Sequence, residues 1–187
     1  DCKPGQMPRS EYKELPQKNI DTGMGLERLV CLVQDGETNF DTDLFLPIIH
    51  ETEKYAKHPY SDPEYKMAYR VIADHIRTVT FAIADGATFS NEGRGYVLRR
   101  VLRRAVRYGI KLGIADSFMY KLVQVVADNM KAYYPYVEDK VALISKLVKT
   151  EEESFHTTLA NGENLLNTAL KEHADTIQLP GNVVFKL

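Results

Sequence analysis

Residues 67–86 read Met67-Ala68-Tyr69-Arg70-Val71-Ile72-Ala73-Asp74-His75-Ile76-Arg77-Thr78-Val79-Thr80-Phe81-Ala82-Ile83-Ala84-Asp85-Gly86. The apolar members Met67, Ala68, Val71, Ile72, Ile76, Val79, Ala82 and Ile83 return every three or four positions until the glycine, where a strand would alternate every second residue. This stretch is a long helix with one face committed to a core. His75 falls within the apolar rhythm and reads as a hydrogen-bonded core residue.

Working outward, the same periodicity recurs. Tyr96 begins a helix that runs to about Tyr108, before Gly109 and Gly113, with the glycine-rich loop Ala87–Gly95 leading into it. Asp116 or Ser117 caps the next helix, which reaches about Tyr134 and is halted by Pro135. Glu138 to about His173 forms one or two helices with Gly162 as the interruption, and Thr176–Leu187 is β-like or irregular. Upstream, Asp41 or Thr42 caps a helix through about Tyr55, with Pro47 tolerable only near its first turn. Residues 1–19 are loop and extended chain. Asn19–Asp21 is a short strand end, followed by a glycine turn and a helix carrying Leu26, Leu29, Val30 and Val33 that Gly36 stops. The fold class is mainly α, a helical bundle preceded by an edge strand and a helix.

The chain has 187 residues, 44% of them hydrophobic, enough to bury a core. No run approaches the roughly 18 apolar residues a membrane span needs, and the N-terminus lacks a signal-peptide layout. Cys2 and Cys31 form no CxxC pair, and the five histidines (His50, His58, His75, His156, His173) have no metal-ligand spacing, so no metal site is expected and a reducing cytoplasm is. The opening at Asp1 and the closing apolar stretch Val183, Val184, Phe185, Leu187 read as those of a piece of a longer protein.

The net charge of −2 conceals a basic block: Arg94, Arg99, Arg100, Arg103, Arg104, Arg107 and Lys111 fall within residues 94–111, with no acidic residue among them. At about 100° per residue, with Arg99 at zero, Arg103, Arg107, Arg100 and Arg104 lie at roughly 40°, 80°, 100° and 140°. Val97, Tyr108, Val101, Ala105, Leu98, Leu102 and Val106 occupy the other side. Guanidiniums sharing one face repel, so an anion must compensate them. Two readings follow. Carboxylates of this chain, such as Asp74, Asp85 and Glu151–Glu153, neutralise the face internally, or an external polyanion does. The adjoining loop Ser90-Asn91-Glu92-Gly93-Arg94-Gly95 can meet phosphates and base edges.

Gly23-x-Gly25 before a helix lets backbone approach a ligand closely, with Arg28 one turn inside to clamp a phosphate and Asp21 able to pair with an ammonium. The alternative is a plain strand-to-helix junction with Glu27 and Arg28 solvated. The spacing is neither a Walker nor a Rossmann fingerprint.

The string Asp21-Thr22-Gly23-Met24-Gly25-Leu26-Glu27-Arg28-Leu29 resembles the third signature motif of class II aminoacyl-tRNA synthetases in its alanyl form. Asn39-Phe40-Asp41-Thr42-Asp43-Leu44-Phe45, Ala73-Asp74-His75-Ile76-Arg77, Ile83-Ala84-Asp85-Gly86 and Ser90-Asn91-Glu92-Gly93-Arg94-Gly95-Tyr96-Val97-Leu98-Arg99-Arg100 resemble the same family in the same order. The resemblance implies that residues 1–35 are the C-terminal remnant of an α/β catalytic domain and 36–187 a helical acceptor-stem recognition domain. It implies ATP contacts at Gly23, Gly25 and Arg28, with Arg28 on the γ-phosphate, and an alanine-ammonium contact at Asp21. Asn91, Arg94, Arg99, Arg100, Arg103, Arg104 and Arg107 would contact the acceptor stem of tRNA(Ala), whose G·U pair the family reads. The family uses ATP with Mg2+, and its zinc belongs to an editing domain this chain lacks. The first two motifs would precede Asp1, so the piece is not expected to catalyse alone. Some family members carry Asn where Gly93 stands, leaving Asn91 or backbone to substitute, and a further acidic determinant of the pair lies beyond Leu187.

Overall fold

The computed structural model describes residues 13–14, 16–173 and 178–185. The chain is mainly helical, and no strand occurs among the described residues. The elements are α1 (Leu26–Val33), α2 (Leu46–Glu53), α3 (Lys66–Ala84), α4 (Gly93–Lys111), α5 (Met119–Met130), a 3-10 turn (Pro135–Lys140), α6 (Val141–Glu172) and α7 (Gly181–Val184).

α3 is the hub, as its periodicity predicts. It packs against α2, α4, α5, α6 and the 3-10 turn, and α6 lies along α4 and α5. Ile72, Ala73, Ile76 and Val79 are wholly buried, with Leu102 and Ala105 of α4, Leu122 and Val126 of α5, and Ile144 and Val148 of α6 in the same core. Each large aliphatic side chain so placed contributes roughly 2 kcal/mol. The C-terminus of α3 is closed from outside: Lys140 Nζ donates to the Ala84 carbonyl at 2.5 Å, where a cation suits the helix dipole. Beside it the Tyr136 hydroxyl donates to Asp85 Oδ1 at 3.0 Å.

Several boundaries depart from the sequence reading. The strand end at Asn19–Asp21 is irregular chain, because a strand persists only beside a partner and every other described segment is helix or loop. α2 starts at Leu46, not after Asp41 or Thr42, and ends at Glu53. Asp41 instead accepts from the Thr38 and Tyr60 hydroxyls and from Arg70. α4 begins at Gly93, three residues before Tyr96, and extends to Lys111. α5 is preceded by Phe118 and has no side-chain cap of its own, ending at Met130 rather than Tyr134. α6 runs unbroken through Gly162, whose single propensity cost of about 1 kcal/mol a 32-residue helix absorbs. Of the closing segment, Gly181–Val184 is a helical turn rather than β-like chain. Thr176, Ile177, Lys186 and Leu187 lie outside the described residues, as do residues 1–12.

α1 differs from the rest. It buries none of its residues, and Leu26, Leu29, Leu32 and Val33 are exposed.

Candidate functional site

The arginine helix presents two kinds of guanidinium. Glu151 of α6, with only 10% of its side chain exposed, accepts from Arg99 Nε at 2.7 Å and from Arg103 Nε at 2.8 Å through the same oxygen. Arg103 also covers the Phe155 ring at 5.0 Å. Arg100, Arg104 and Arg107 form no ion pair with a carboxylate among the described residues. Arg100 and Arg104 instead lie over the rings of Tyr96 and Tyr108, at 5.8 Å and 5.9 Å. Arg100, Arg103, Arg104 and Arg107, with His75, Val97 and Phe155, line an open groove of about 520 Å³. A second groove of about 500 Å³ continues past Arg104 and Arg107 to Tyr108 and Lys111.

His75 is hydrogen-bonded, as the sequence suggests, but sits at the border of the core rather than inside it. Its ring is 13% exposed, bonded at 2.9 Å to Asp74 Oδ2, and it faces the arginine groove. That hydrogen bond, aided by the charges of Arg77 and Arg104, holds the Asp74 carboxyl below its ordinary range against partial burial.

At the N-terminus of α4, Gly93 has φ +61, the left-handed region open to glycine and to asparagine but costly for most residues. Gly95 is required by close approach, since a Cβ there would lie 2.3 Å from the Thr88 carbonyl oxygen. The loop folds back onto the first turn, with the Ser90 hydroxyl donating to the Glu92 carbonyl at 2.5 Å. Asn91 is exposed and accepts from Arg99 Nη1 through its side-chain oxygen. Arg94 is exposed and lines a separate recess with Asp85, Ser90 and Glu92, away from the groove of the other arginines.

The glycine turn lies on another part of the surface. Gly25 and the exposed Arg28 line a notch of about 350 Å³ with Glu27, Asn39, Phe40, Phe45, Asp74 and Arg77. Gly23 has no other atom within 4 Å of its Cβ position, and Gly25 meets only the Arg28 side chain at 3.7 Å. Among the described residues, then, the space above Gly23 is open and that above Gly25 is bordered by Arg28. Asp21 is exposed and does not line the notch. Among the described residues no group of three or more His, Cys, Asp or Glu side chains is placed to hold a metal ion, and no helix is long and apolar enough to cross a membrane.

The sequence does not give the partners of three residues at or near the site. Arg77 donates to Glu27 at 2.8 Å and lies over the Phe45 ring at 4.2 Å, tying α1 to α3. Glu151 is one of three adjacent glutamates, and nothing in the string singles it out as the arginines' partner. Glu152, wholly buried, accepts from the backbone of Phe118 and Met119 and so caps α5 from α6.

A family model described as tRNA synthetases class II (A) matches residues 4–187. The alanine--tRNA ligase of Streptococcus mutans is 55% identical over 183 residues, covering 97% of this chain and 21% of the relative. Those of Enterococcus faecalis and Halalkalibacterium halodurans are 54% and 57% identical over 184 and 185 residues, each covering 96% of this chain and 21% of the relative. The chain thus spans about a fifth of the length of these curated relatives. Matched over almost its whole length by the family model, with more than half its residues shared with these relatives, the chain belongs to the class II (A) tRNA synthetases.

Proposed function

We propose that this chain is the acceptor-stem-binding part of an alanine--tRNA ligase, a cytoplasmic enzyme that activates alanine with ATP and transfers it to tRNA(Ala). The observation that carries this reading is the open groove of Arg100, Arg104 and Arg107, none of them paired with a carboxylate among the described residues. An A-form duplex offers that surface a double row of phosphates. Arg103 lines the same groove, and Arg99, which shares Glu151 with it, donates to Asn91 at the helix start. Arg94 adds a further cation beyond the groove.

Residues 36–187 form this recognition domain. Residues 1–35 belong with the catalytic domain, a division supported by the exposed apolar face of α1 and by a bundle core that begins only at Phe45. There Arg28 meets the γ-phosphate of ATP, Gly23 and Gly25 lie under the adenylate, and Asp21 holds the alanine ammonium. Magnesium enters with the nucleotide.

The competing reading is a bundle whose arginines are neutralised internally. Glu151 supports it for Arg99 and Arg103, and Asp74 acts on Arg104 only through its charge, without an ion pair. Titration with a tRNA(Ala) acceptor-stem duplex at several salt concentrations separates the two. Salt-dependent binding that collapses in the Arg100→Ala/Arg104→Ala/Arg107→Ala variant is expected. Equal behaviour of the variant and the parent chain, or no binding at low salt, overturns the proposal.

A further inference from the structure

A side-chain amide has an acceptor end and a donor end. The oxygen of Asn91 faces Arg99 Nη1, and a guanidinium offers only donors, so the NH2 of Asn91 must point away from it. Arg99 is itself held, since its Nε donates to Glu151 Oε1 at 2.7 Å. The same oxygen takes Arg103 Nε at 2.8 Å. A line of hydrogen bonds therefore runs from a buried carboxylate on α6, through one arginine of α4, to an exposed amide beside the helix start.

We infer that Glu151 and Arg99 are positioning residues that lock the Asn91 amide with its NH2 outward, so that Asn91 donates to a minor-groove acceptor of bound RNA. This rests on the acceptor-stem reading above. The minor groove of an A-form helix is wide and shallow enough to reach, and its acceptors are ribose 2′-oxygens, purine N3 and pyrimidine O2. A donor at residue 91 cannot take the guanine N2 amino group, which is itself a donor, so Asn91 reads an acceptor and leaves that group to another residue.

The test uses this chain and an acceptor-stem RNA duplex scanned with single 2′-deoxy, single 3-deazapurine and single 2-thiopyrimidine substitutions, which separate a ribose acceptor from a purine N3 and a pyrimidine O2. One substitution is expected to weaken binding by about tenfold. Asn91→Asp keeps the contact with Arg99, because a carboxylate accepts, but offers no outward donor; it is expected to bind parent and substituted duplexes alike. Glu151→Gln removes a negative charge beneath two arginines and is expected to bind the parent duplex at least as tightly while losing the same sensitivity. In the RNA-free chain, the Asn91 side-chain NH2 resonances are expected to move in Glu151→Gln. Tighter binding by Glu151→Gln with sensitivity retained, or unmoved Asn91 resonances, makes Glu151 a neutralising charge and overturns the relay. A duplex insensitive to every substitution removes the donor role of Asn91 while the acceptor-stem reading stands. No binding to any duplex at low salt removes both.

Discussion

Arg77 Nη2 lies 2.8 Å from Glu27 Oε1, joining residues fifty positions apart and fastening an otherwise unburied helix to the bundle. Backbone hydrogen bonding at the start of α1, with help from Arg77, holds the Glu27 carboxyl below its usual 4.5 against partial burial. A lowered carboxylate contributes stability above 4.5 that is lost as pH falls through its folded value. Arg77→Met is expected to raise amide exchange across residues 26–33 while changing global unfolding by about 1 kcal/mol or less. Unchanged exchange there would show that something other than the ion pair holds α1.

Burial pushes the Glu152 carboxyl from 4.5 up to about 7, against the backbone donors of Phe118 and Met119. Its folded form therefore binds the proton more tightly than the unfolded chain does. That advantage is complete below 4.5 and is lost as pH rises to about 7. Glu152→Gln keeps an acceptor for the helix end but cannot titrate. Unfolding free energies measured from pH 4.5 to about 8 should diverge, with the parent chain losing about 3 kcal/mol relative to the variant. Parallel curves would sink the assignment.

The unpaired arginines should separate binding from folding. Arg104→Ala and Arg107→Ala are each expected to lower the log–log salt slope for an acceptor-stem duplex by about 1, with unfolding free energy changed by no more than about 0.5 kcal/mol. Arg103→Ala, which uncovers Phe155 and removes a partner of Glu151, is expected to cost on the order of 1 kcal/mol of stability as well. Equal stability losses for all three would contradict the distinction.

Gly95→Ala places a methyl group 2.3 Å from the Thr88 carbonyl oxygen and 2.9 Å from the Ser90 nitrogen, and is expected to destabilise by about 1–3 kcal/mol. Gly93→Asn, at φ +61 with no atom within 4 Å of its Cβ position, should be tolerated within about 0.5 kcal/mol. Denaturant unfolding of both variants checks the pair, and a Gly93→Asn loss as large as that of Gly95→Ala would refute the contrast.

The sequence by itself determined the helical class, the hub helix and the amphipathic division of α4, because a periodicity of 3.6 is a local property that burial then enforces. The motif string and its glycines were equally legible, being contiguous. Helix ends were read less well. The α5 cap comes not from Asp116 or Ser117 but from Glu152, more than thirty residues away, and Gly95 is demanded by a neighbouring loop rather than by its own turn. The strand end at Asn19–Asp21 has no partner strand among the described residues, which a one-dimensional pattern does not reveal. Only the tertiary structure divided the arginines into those that Glu151 holds and those without an ion pair among the described residues. The sequence supplies a choice of carboxylates in Asp74, Asp85 and Glu151–Glu153, and the packing of α6 along α4 selects Glu151 for Arg99 and Arg103 and leaves the others facing the groove. Charge pairing depends on distances between elements, and those exist only once the elements are packed.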